Sequence, residues 1–164
     1  MFSNETMPHR DSISAYLRQI VITDGVVIDF GCGGKPVTNY IEMAEGVQYF
    51  SYDKNPQSQA RVILDIENNN LPSNQPKADY AFCIEVLEHS KKPDSILNNI
   101  WCNMKHEGIL YLTVPFMFPI HHTEDYWRYT DQGIRLLLEE NSFVVEDVIP
   151  TEQNQGWIVK AIRK

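Results

Sequence analysis

The chain has 164 residues, a common size for one domain and enough to bury one sizeable core. Hydrophobic residues make up 43% of it and charged residues 22%, as in ordinary globular proteins, and no apolar run approaches the ~20 residues of a membrane span. The net charge of -8, from 22 acidic and 14 basic residues, disfavours a nucleic-acid partner and an anionic membrane surface.

The start of the chain and its cysteines indicate where the protein resides. Met1 to Arg10 is polar and lacks the apolar stretch of a signal peptide, and we expect residues 1–8 to form a flexible tail. The three cysteines, Cys32, Cys83 and Cys102, have no C-x-x-C spacing. This favours reduced thiols and predicts a cytoplasmic protein.

The first half of the chain alternates between helical patterns and short apolar runs. A leading helix is predicted from apolar residues that recur at helical spacing: Ile13, Tyr16, Leu17 and Ile20. Three strands are predicted at Val26–Phe30, Val47–Tyr52 and Arg61–Leu64, with a helix over about Val37–Ala44 after the first of them. The segment Ile66–Lys77, which holds two prolines and three successive asparagines, is predicted to be a loop.

The second half continues the alternation. A strand over Tyr80–Ile84 precedes a helix over Ser90–Glu107, with Pro93 in its first turn and Gly108 as its C-terminal cap. The remaining predicted elements are a strand at Ile109–Val114, a helix from a Thr130 cap to Asn141, and strands at Phe143–Ile149 and Trp157–Ile162 joined by a short turn. Together these predict one domain with a doubly wound, Rossmann-like α/β sheet, mostly parallel and ending in an antiparallel C-terminal hairpin.

Glycines follow the first of these strands directly. Gly31, Gly33 and Gly34 lie just after Val26–Phe30, and glycines there let the backbone turn tightly and approach a ligand at the carboxyl edge of the sheet. A dinucleotide-binding motif G-x-G-x-x-G that began at Gly31 would need glycine at position 36, where the chain has Pro36. A phosphate-binding loop would need Ser or Thr after Lys35, and Pro36 again stands there. The turn therefore predicts a ligand site of another kind and argues against an NAD-type dehydrogenase.

The run Val27–Gly33 resembles the first motif of class I S-adenosylmethionine-dependent methyltransferases. In that family this motif holds the methionine end of the cofactor, an acid at the position of Asp53 binds the ribose hydroxyls, and the segment at Leu64–Ile66 contacts adenine. Ala78–His89 is similar to the family's fourth-strand segment. The resemblance implies S-adenosylmethionine as cofactor, held by nine residues: Asp29, Gly31, Cys32, Gly33, Asp53, Lys54, Asp65, Ile66 and Glu85.

Two later stretches resemble the type 11 methyltransferase group, the second of them through a signature of its bacterial members. Gly108–Phe116 matches their fifth strand, and Asp125–Thr130 looks like their D-Y-W-R-[FY]-T signature. The resemblance implies methyl transfer. We expect the acceptor to be a small molecule or a sugar-containing metabolite, and a lipid-linked glycan or a protein side chain stays open. Lys35 departs from the family pattern, and Pro119–Asp125 and the link Thr151–Gly156 are short. The short link leaves open a non-catalytic binding or scaffold protein that retains the fold.

The segment after the fifth strand contains the candidate catalytic residues His121, His122 and Arg128. Imidazole titrates near neutrality, so these histidines or His89 can accept a proton from an acceptor that must lose one. Arg128 could instead form a structural ion pair with Asp125.

The string E-x-x-E-H at Glu85, Glu88 and His89 leaves a metal-dependent O-methyltransferase open, because two carboxylates and an imidazole suit a divalent cation. Non-metal relatives have the same string. We therefore predict no metal, with Glu85 lining the cofactor, Glu88 solvated and His89 capping the loop.

Overall fold

The computed structural model describes residues 8–164, and the expected tail lies outside that range except for Pro8, which begins the first helix. The described residues form three α-helices and nine β-strands: α1 (Pro8–Leu17), β1 (Val21–Ile22), β2 (Val26–Phe30), β3 (Glu42–Met43), β4 (Gln48–Asp53), β5 (Val62–Ile63), β6 (Ala78–Ile84), α2 (Pro93–Asn103), β7 (Met104–Pro115), α3 (Asp131–Glu140), β8 (Phe143–Pro150) and β9 (Gly156–Arg163).

Seven strands form the central sheet in the order β5-β4-β2-β6-β7-β9-β8. The first five are parallel, whereas β9 is antiparallel to both β7 and β8, so the predicted mostly parallel sheet with an antiparallel hairpin is confirmed. From β2 the chain winds outward to β4 and β5, then returns to β6 on the other side of β2. The carboxyl ends of β2 and β6 therefore flank a topological switch point, where open α/β sheets bind ligands.

The core lies on both faces of this sheet. On one face, apolar residues of α2 and α3 pack against β2, β6 and β7 and include Ile28, Leu97 and Ile134. On the other face, Ile13 and Leu17 of α1 pack against a second cluster of buried residues. No helix within residues 8–164 is both long and apolar enough to cross a membrane.

The helix predicted over Val37–Ala44 is wrong. Residues Val37–Asn39 form only a short 3-10 turn, and β3 pairs in parallel with β1 as a separate two-stranded sheet. Pro36 is extended at ψ 153°, and β-branched residues follow it, so helix initiation is unfavourable there. The backbone N–H groups of Glu42 and Ala44 instead donate to the carbonyls of Ile20 and Ile22, at 3.0 and 2.9 Å.

The helix predicted over Ser90–Glu107 is too long at both ends. Helix α2 begins at Pro93 and ends at Asn103, and strand β7 begins at Met104, which is buried and pairs with Ala78 of β6. Gly108 therefore lies within β7 rather than capping a helix. Met104 and Ile109 pair with Ala78 and Tyr80 of β6, and an irregularity in the register lies between these two pairs. This pairing outweighs the helical pattern of the segment. The predicted Thr130 cap of α3 is confirmed by a 3.0 Å hydrogen bond from the Gly133 N–H.

Candidate functional site

The glycine turn at the end of β2 has a backbone conformation that residues with a side chain rarely adopt. Gly31 has φ +77° and Gly33 has φ +56°. A Cβ on Gly31 would lie 2.6 Å from Val86 Cγ2, so the turn packs directly against the segment that follows β6. The Gly31 N–H donates to the Tyr52 carbonyl at 2.7 Å, which fixes the turn beside the end of β4.

Asp53, the last residue of β4, lies against this turn. One carboxylate oxygen accepts from the Gly33 N–H at 2.8 Å, and the other accepts from the Asn55 N–H at 2.7 Å. The next residue, Lys54, forms an ion pair with Glu124, which lies beyond β7. The acid predicted to bind ribose is therefore held by backbone groups at the carboxyl edge of the sheet.

A cavity of about 560 Å³ extends from the turn along the ends of β4 and β5. All of the predicted cofactor residues except Asp29 and Cys32 line it. Asp65 lies after β5 and accepts from the Glu67 N–H at 3.0 Å, while the neighbouring Ile66 supplies a buried apolar wall. Glycine backbone, two carboxylates and an apolar wall can together bind a flat, hydroxyl-bearing ligand.

Asp29 and Cys32 lie on a second cavity of about 680 Å³. Asp29 is buried beneath the turn and accepts hydrogen bonds from the Val37 N–H and the Tyr49 hydroxyl, both at 2.9 Å. Burial raises the pKa of Asp29 to about 6 and that of the Cys32 thiol to about 12. In these contacts Asp29 stabilises the turn from below, and its predicted role in cofactor binding remains a prediction.

Helix α1 forms one wall of the second cavity, and His121 lies on it too. The two cavities share five lining residues, which mark the point where they meet: Gly31, Gly33, Glu85, His89 and His122. A ligand bound at the turn and a second molecule under α1 can therefore lie next to each other.

Glu85 stands at this junction in a left-handed conformation with φ +55°. Its Oε1 accepts from the Thr113 hydroxyl at 3.0 Å, and its Oε2 lies 3.0 Å from Nε2 of His9. His9 is fully buried and was missed, because it lies next to the stretch expected to be a tail. Extending the predicted leading helix by one turn toward the N-terminus would have indicated its place.

Glu88 is not solvated, contrary to expectation. It is fully buried, and among residues 8–164 neither of its carboxylate oxygens has a hydrogen-bond partner. Burial, reinforced by the neighbouring Glu85, raises the pKa of Glu88 well above its usual range. The potential ligand atoms of Glu88, His89 and His121 lie within 4.8 Å of one another.

The guanidinium of Arg128 is fully engaged in organising the loop after β7. It donates to the carbonyls of Phe118 and Pro119 at 2.9 and 3.0 Å, and it forms a two-pronged ion pair with Asp125. The Arg128 hydrogen bonds hold the pKa of the Asp125 carboxyl well below its usual range. These contacts favour the structural ion pair over a catalytic role for Arg128.

Comparison with protein families finds a match over most of the chain. A family model described as a methyltransferase domain matches residues 3–143. A search of curated proteins finds no significant match.

Solved structures resemble the fold closely at low identity. One of them is a chain from a Haloferax volcanii complex between the Trm112 methyltransferase activator and a candidate methyltransferase. It is 13% identical with a TM-score of 0.74, and the match covers 94% of this chain and 89% of that one. Burkholderia thailandensis 1,6-didemethyltoxoflavin-N1-methyltransferase, with 1,6-didemethyltoxoflavin and S-adenosylhomocysteine bound, is 18% identical with a TM-score of 0.69, and the match covers 98% of this chain and 79% of that one. Synechocystis PCC 6803 magnesium protoporphyrin IX methyltransferase with bound SAM is 17% identical (TM-score 0.61; 94% and 77% covered).

Proposed function

Because this chain belongs to the methyltransferase domain family, we propose that it transfers a methyl group from S-adenosylmethionine to a small-molecule acceptor. Sugar-containing metabolites are the first acceptor class to test. One observation supports the proposal most directly. The glycine turn, Asp53 and Asp65 come from the ends of three neighbouring parallel strands, and all of them line one cavity.

The residues present fit this cofactor. Gly31 and Gly33 offer bare backbone to a methionine moiety, and the space beside Gly33 is open. Asp53 offers carboxylate oxygens to ribose hydroxyls, and Ile66 offers an apolar surface to adenine. When bound, S-adenosylmethionine supplies an electrophilic methyl group on a sulfonium. The protein then has mainly to align the reacting groups and exclude water. The second cavity, which adjoins the turn, is the proposed acceptor site.

The test begins with purified protein and its copurifying ligands. Mass spectrometry should detect S-adenosylmethionine or S-adenosylhomocysteine, and calorimetry should show that S-adenosylhomocysteine binds. Incubation with radiolabelled S-adenosylmethionine and metabolite fractions should then label a small molecule. Binding without transfer to any fraction would support the non-catalytic scaffold instead, and absence of binding would refute the proposal.

His122 is proposed to serve the acceptor rather than the cofactor. It is exposed at the junction of the two cavities, where an imidazole can take a proton from an acceptor hydroxyl. We expect His122→Ala to lower the methylation rate about 100-fold while S-adenosylhomocysteine affinity changes less than about twofold. His106→Ala, which removes an exposed histidine in β7, is the control and should change neither the methylation rate nor the affinity for S-adenosylhomocysteine. Parallel losses of affinity and rate in His122→Ala would contradict this assignment.

O-methylation assisted by a divalent cation is a second candidate, favoured by the buried carboxylate of Glu88, which has no hydrogen-bond partner among residues 8–164 and lies 3.5 Å from Nε2 of His89. The Nδ1 atom of His89 bonds the Glu124 carbonyl, and that of His121 lies 3.2 Å from the Asp125 carboxylate. Each contact leaves the other ring nitrogen free to bind a metal, an arrangement common among metal-ligating histidines. Two imidazoles and a carboxylate suit Mn²⁺, Fe²⁺ or Zn²⁺. Glu85, which the sequence grouped with them, is instead held by Thr113 and His9.

Titration with Mn²⁺ distinguishes this candidate from the metal-free reaction expected from the sequence. If the cation site exists, calorimetry should detect Mn²⁺ binding to the wild type. Glu88→Gln should weaken that binding at least about 10-fold, and Glu139→Gln, at an exposed acid of α3, should not. Chelation should then slow methyl transfer. No Mn²⁺ binding together with a chelator-resistant rate would eliminate the cation and confirm the original expectation.

A further inference from the structure

We propose that His9 is a positioning residue: its Nε2–H holds the Glu85 carboxylate at the junction of the two cavities, so that helix α1 supports the cofactor site through Glu85. This inference rests on the proposed function, because it takes Glu85 to face the cofactor. His9 itself touches neither cavity and acts through Glu85.

Both ring nitrogens of His9 are engaged in a buried site. Nδ1 lies 2.9 Å from the Thr151 hydroxyl in the link between β8 and β9, and Nε2 lies 3.0 Å from Glu85 Oε2. The His9 ring also packs against Phe118, with ring centroids 5.0 Å apart. The imidazole thus joins the first helix, the end of β6 and the last hairpin in one contact.

The direction of the bond to Glu85 follows from donor and acceptor chemistry. An ionised carboxylate has only acceptors, so the hydrogen between Nε2 and Oε2 belongs to the imidazole. The Thr151 hydroxyl can accept from Nδ1 while donating to the Gly156 carbonyl at 3.2 Å, or it can donate to Nδ1. In both arrangements Nε2–H donates to Glu85.

Glu85 needs such support because its backbone is in an unfavourable conformation. A non-glycine residue at φ +55° persists only where its surroundings hold it, and residues of this kind cluster at functional sites. The Glu85 N–H donates to Thr113 Oγ1 at 3.0 Å, and Thr113 and His9 each bond one carboxylate oxygen. Two donors from opposite directions therefore fix the rotamer of a carboxylate whose side chain is 19% exposed at the junction.

The hairpin of β8 and β9 leaves room for the His9 ring because Gly156 has no side chain. A Cβ on Gly156 would lie 2.2 Å from His9 Cε1 and 2.5 Å from the Val114 carbonyl oxygen. Gln155 Oε1 accepts from the His9 N–H at 3.1 Å, and the Glu152 N–H donates to the Ser12 hydroxyl at 3.0 Å. The short link between β8 and β9, which departs from the family pattern, thus provides the residues that hold His9 and α1 in place.

Two amide substitutions separate the bond to Glu85 from the packing of the ring. Glutamine can place a donor near the position of Nε2, whereas asparagine reaches only the position of Nδ1, toward Thr151. We expect His9→Gln to bind S-adenosylhomocysteine within about threefold of the wild type and His9→Asn to bind about 10-fold more weakly, the loss of about one hydrogen bond. Equal affinities of the two variants would overturn the proposal.

A double-mutant cycle tests whether the effect passes through Glu85. In a Glu85→Ala background, His9→Asn should cost less than about twofold in affinity. A full loss in that background would assign His9 a merely structural role. Thermal melts of all variants show whether each is folded.

A measurement on the unliganded wild type avoids variants that fail to fold. In ¹⁵N-histidine NMR spectra, Nε2 of His9 should bear a hydrogen, and an unprotonated Nε2 would refute the bond. This result needs no ligand. If the wild type binds no S-adenosylhomocysteine while Nε2–H is observed, the proposed function fails and the His9–Glu85 bond stands.

Discussion

Replacing Asp53 with alanine is expected to weaken S-adenosylhomocysteine binding by about 100-fold or more. Each charge-assisted hydrogen bond to a ribose hydroxyl contributes at least about 1.5 kcal/mol, and two such bonds are lost. A tenfold change in affinity corresponds to about 1.4 kcal/mol. The variant also deprives the Gly33 N–H of its acceptor and so loosens the turn itself. Isothermal titration calorimetry measures the loss directly.

Two companion variants make the Asp53 result specific. Asp53→Asn keeps the shape of the side chain but loses its charge, so its affinity for S-adenosylhomocysteine should lie between those of the wild type and Asp53→Ala. Asp24→Ala removes an exposed acid that precedes β2 at the opposite edge of the sheet, and its affinity should match the wild type. Unchanged affinity in Asp53→Ala would remove this residue from the site.

Replacing Arg128 with alanine is expected to lower stability by about 3 kcal/mol and the melting temperature by about 6–12 °C. The Asp125 side chain is only 1% exposed, so the substitution leaves a buried carboxylate without its counterion. It also releases the carbonyls of Phe118 and Pro119, which fix the path of the loop. Differential scanning calorimetry measures the change in melting temperature.

The chain offers a matched control for this ion pair. Arg135 pairs with Asp131 in α3, but both side chains are largely exposed, at 38% and 45%. Exposed pairs contribute about 0–1 kcal/mol, so Arg135→Ala should have little effect on the melting temperature. Adding Asp125→Asn to Arg128→Ala should restore part of the lost stability. A fall in methylation rate at unchanged melting temperature would instead make Arg128 a catalytic residue.

The sheet could be predicted from the sequence because its buried strands are short apolar runs between turn residues. Each of the two errors in the predicted helices has its own physical cause. Val37, Tyr40, Ile41 and Ala44 have helical spacing, yet Pro36 and β-branched residues prevent a helix, and the segment buries Val37 and Ile41 in an irregular path. Strand pairing with β6 likewise outweighs the helical pattern after Asn103.

The candidate site divides in the same way. The glycine turn and the acids after β4 and β5 could be placed because motifs at the ends of parallel strands meet at one edge. The burial of His9 and Glu88 could not be predicted, since it depends on contacts with residues far along the chain. In the case of His9, the contacting residues Glu85 and Thr151 lie 76 and 142 positions away. No local pattern reports such contacts.

The contact between His9 and the last hairpin also bears on the order in which the site is completed during synthesis. The ribosome makes α1 before the link between β8 and β9, so His9 cannot contact Thr151, Gln155 and Gly156 until these residues have been synthesised. Contacts between segments so distant in sequence cost more loop-closure entropy than local contacts do. A chain that ends before this link lacks the residues that hold His9 against Glu85. Completion of the site is thus tied to synthesis of the link between β8 and β9.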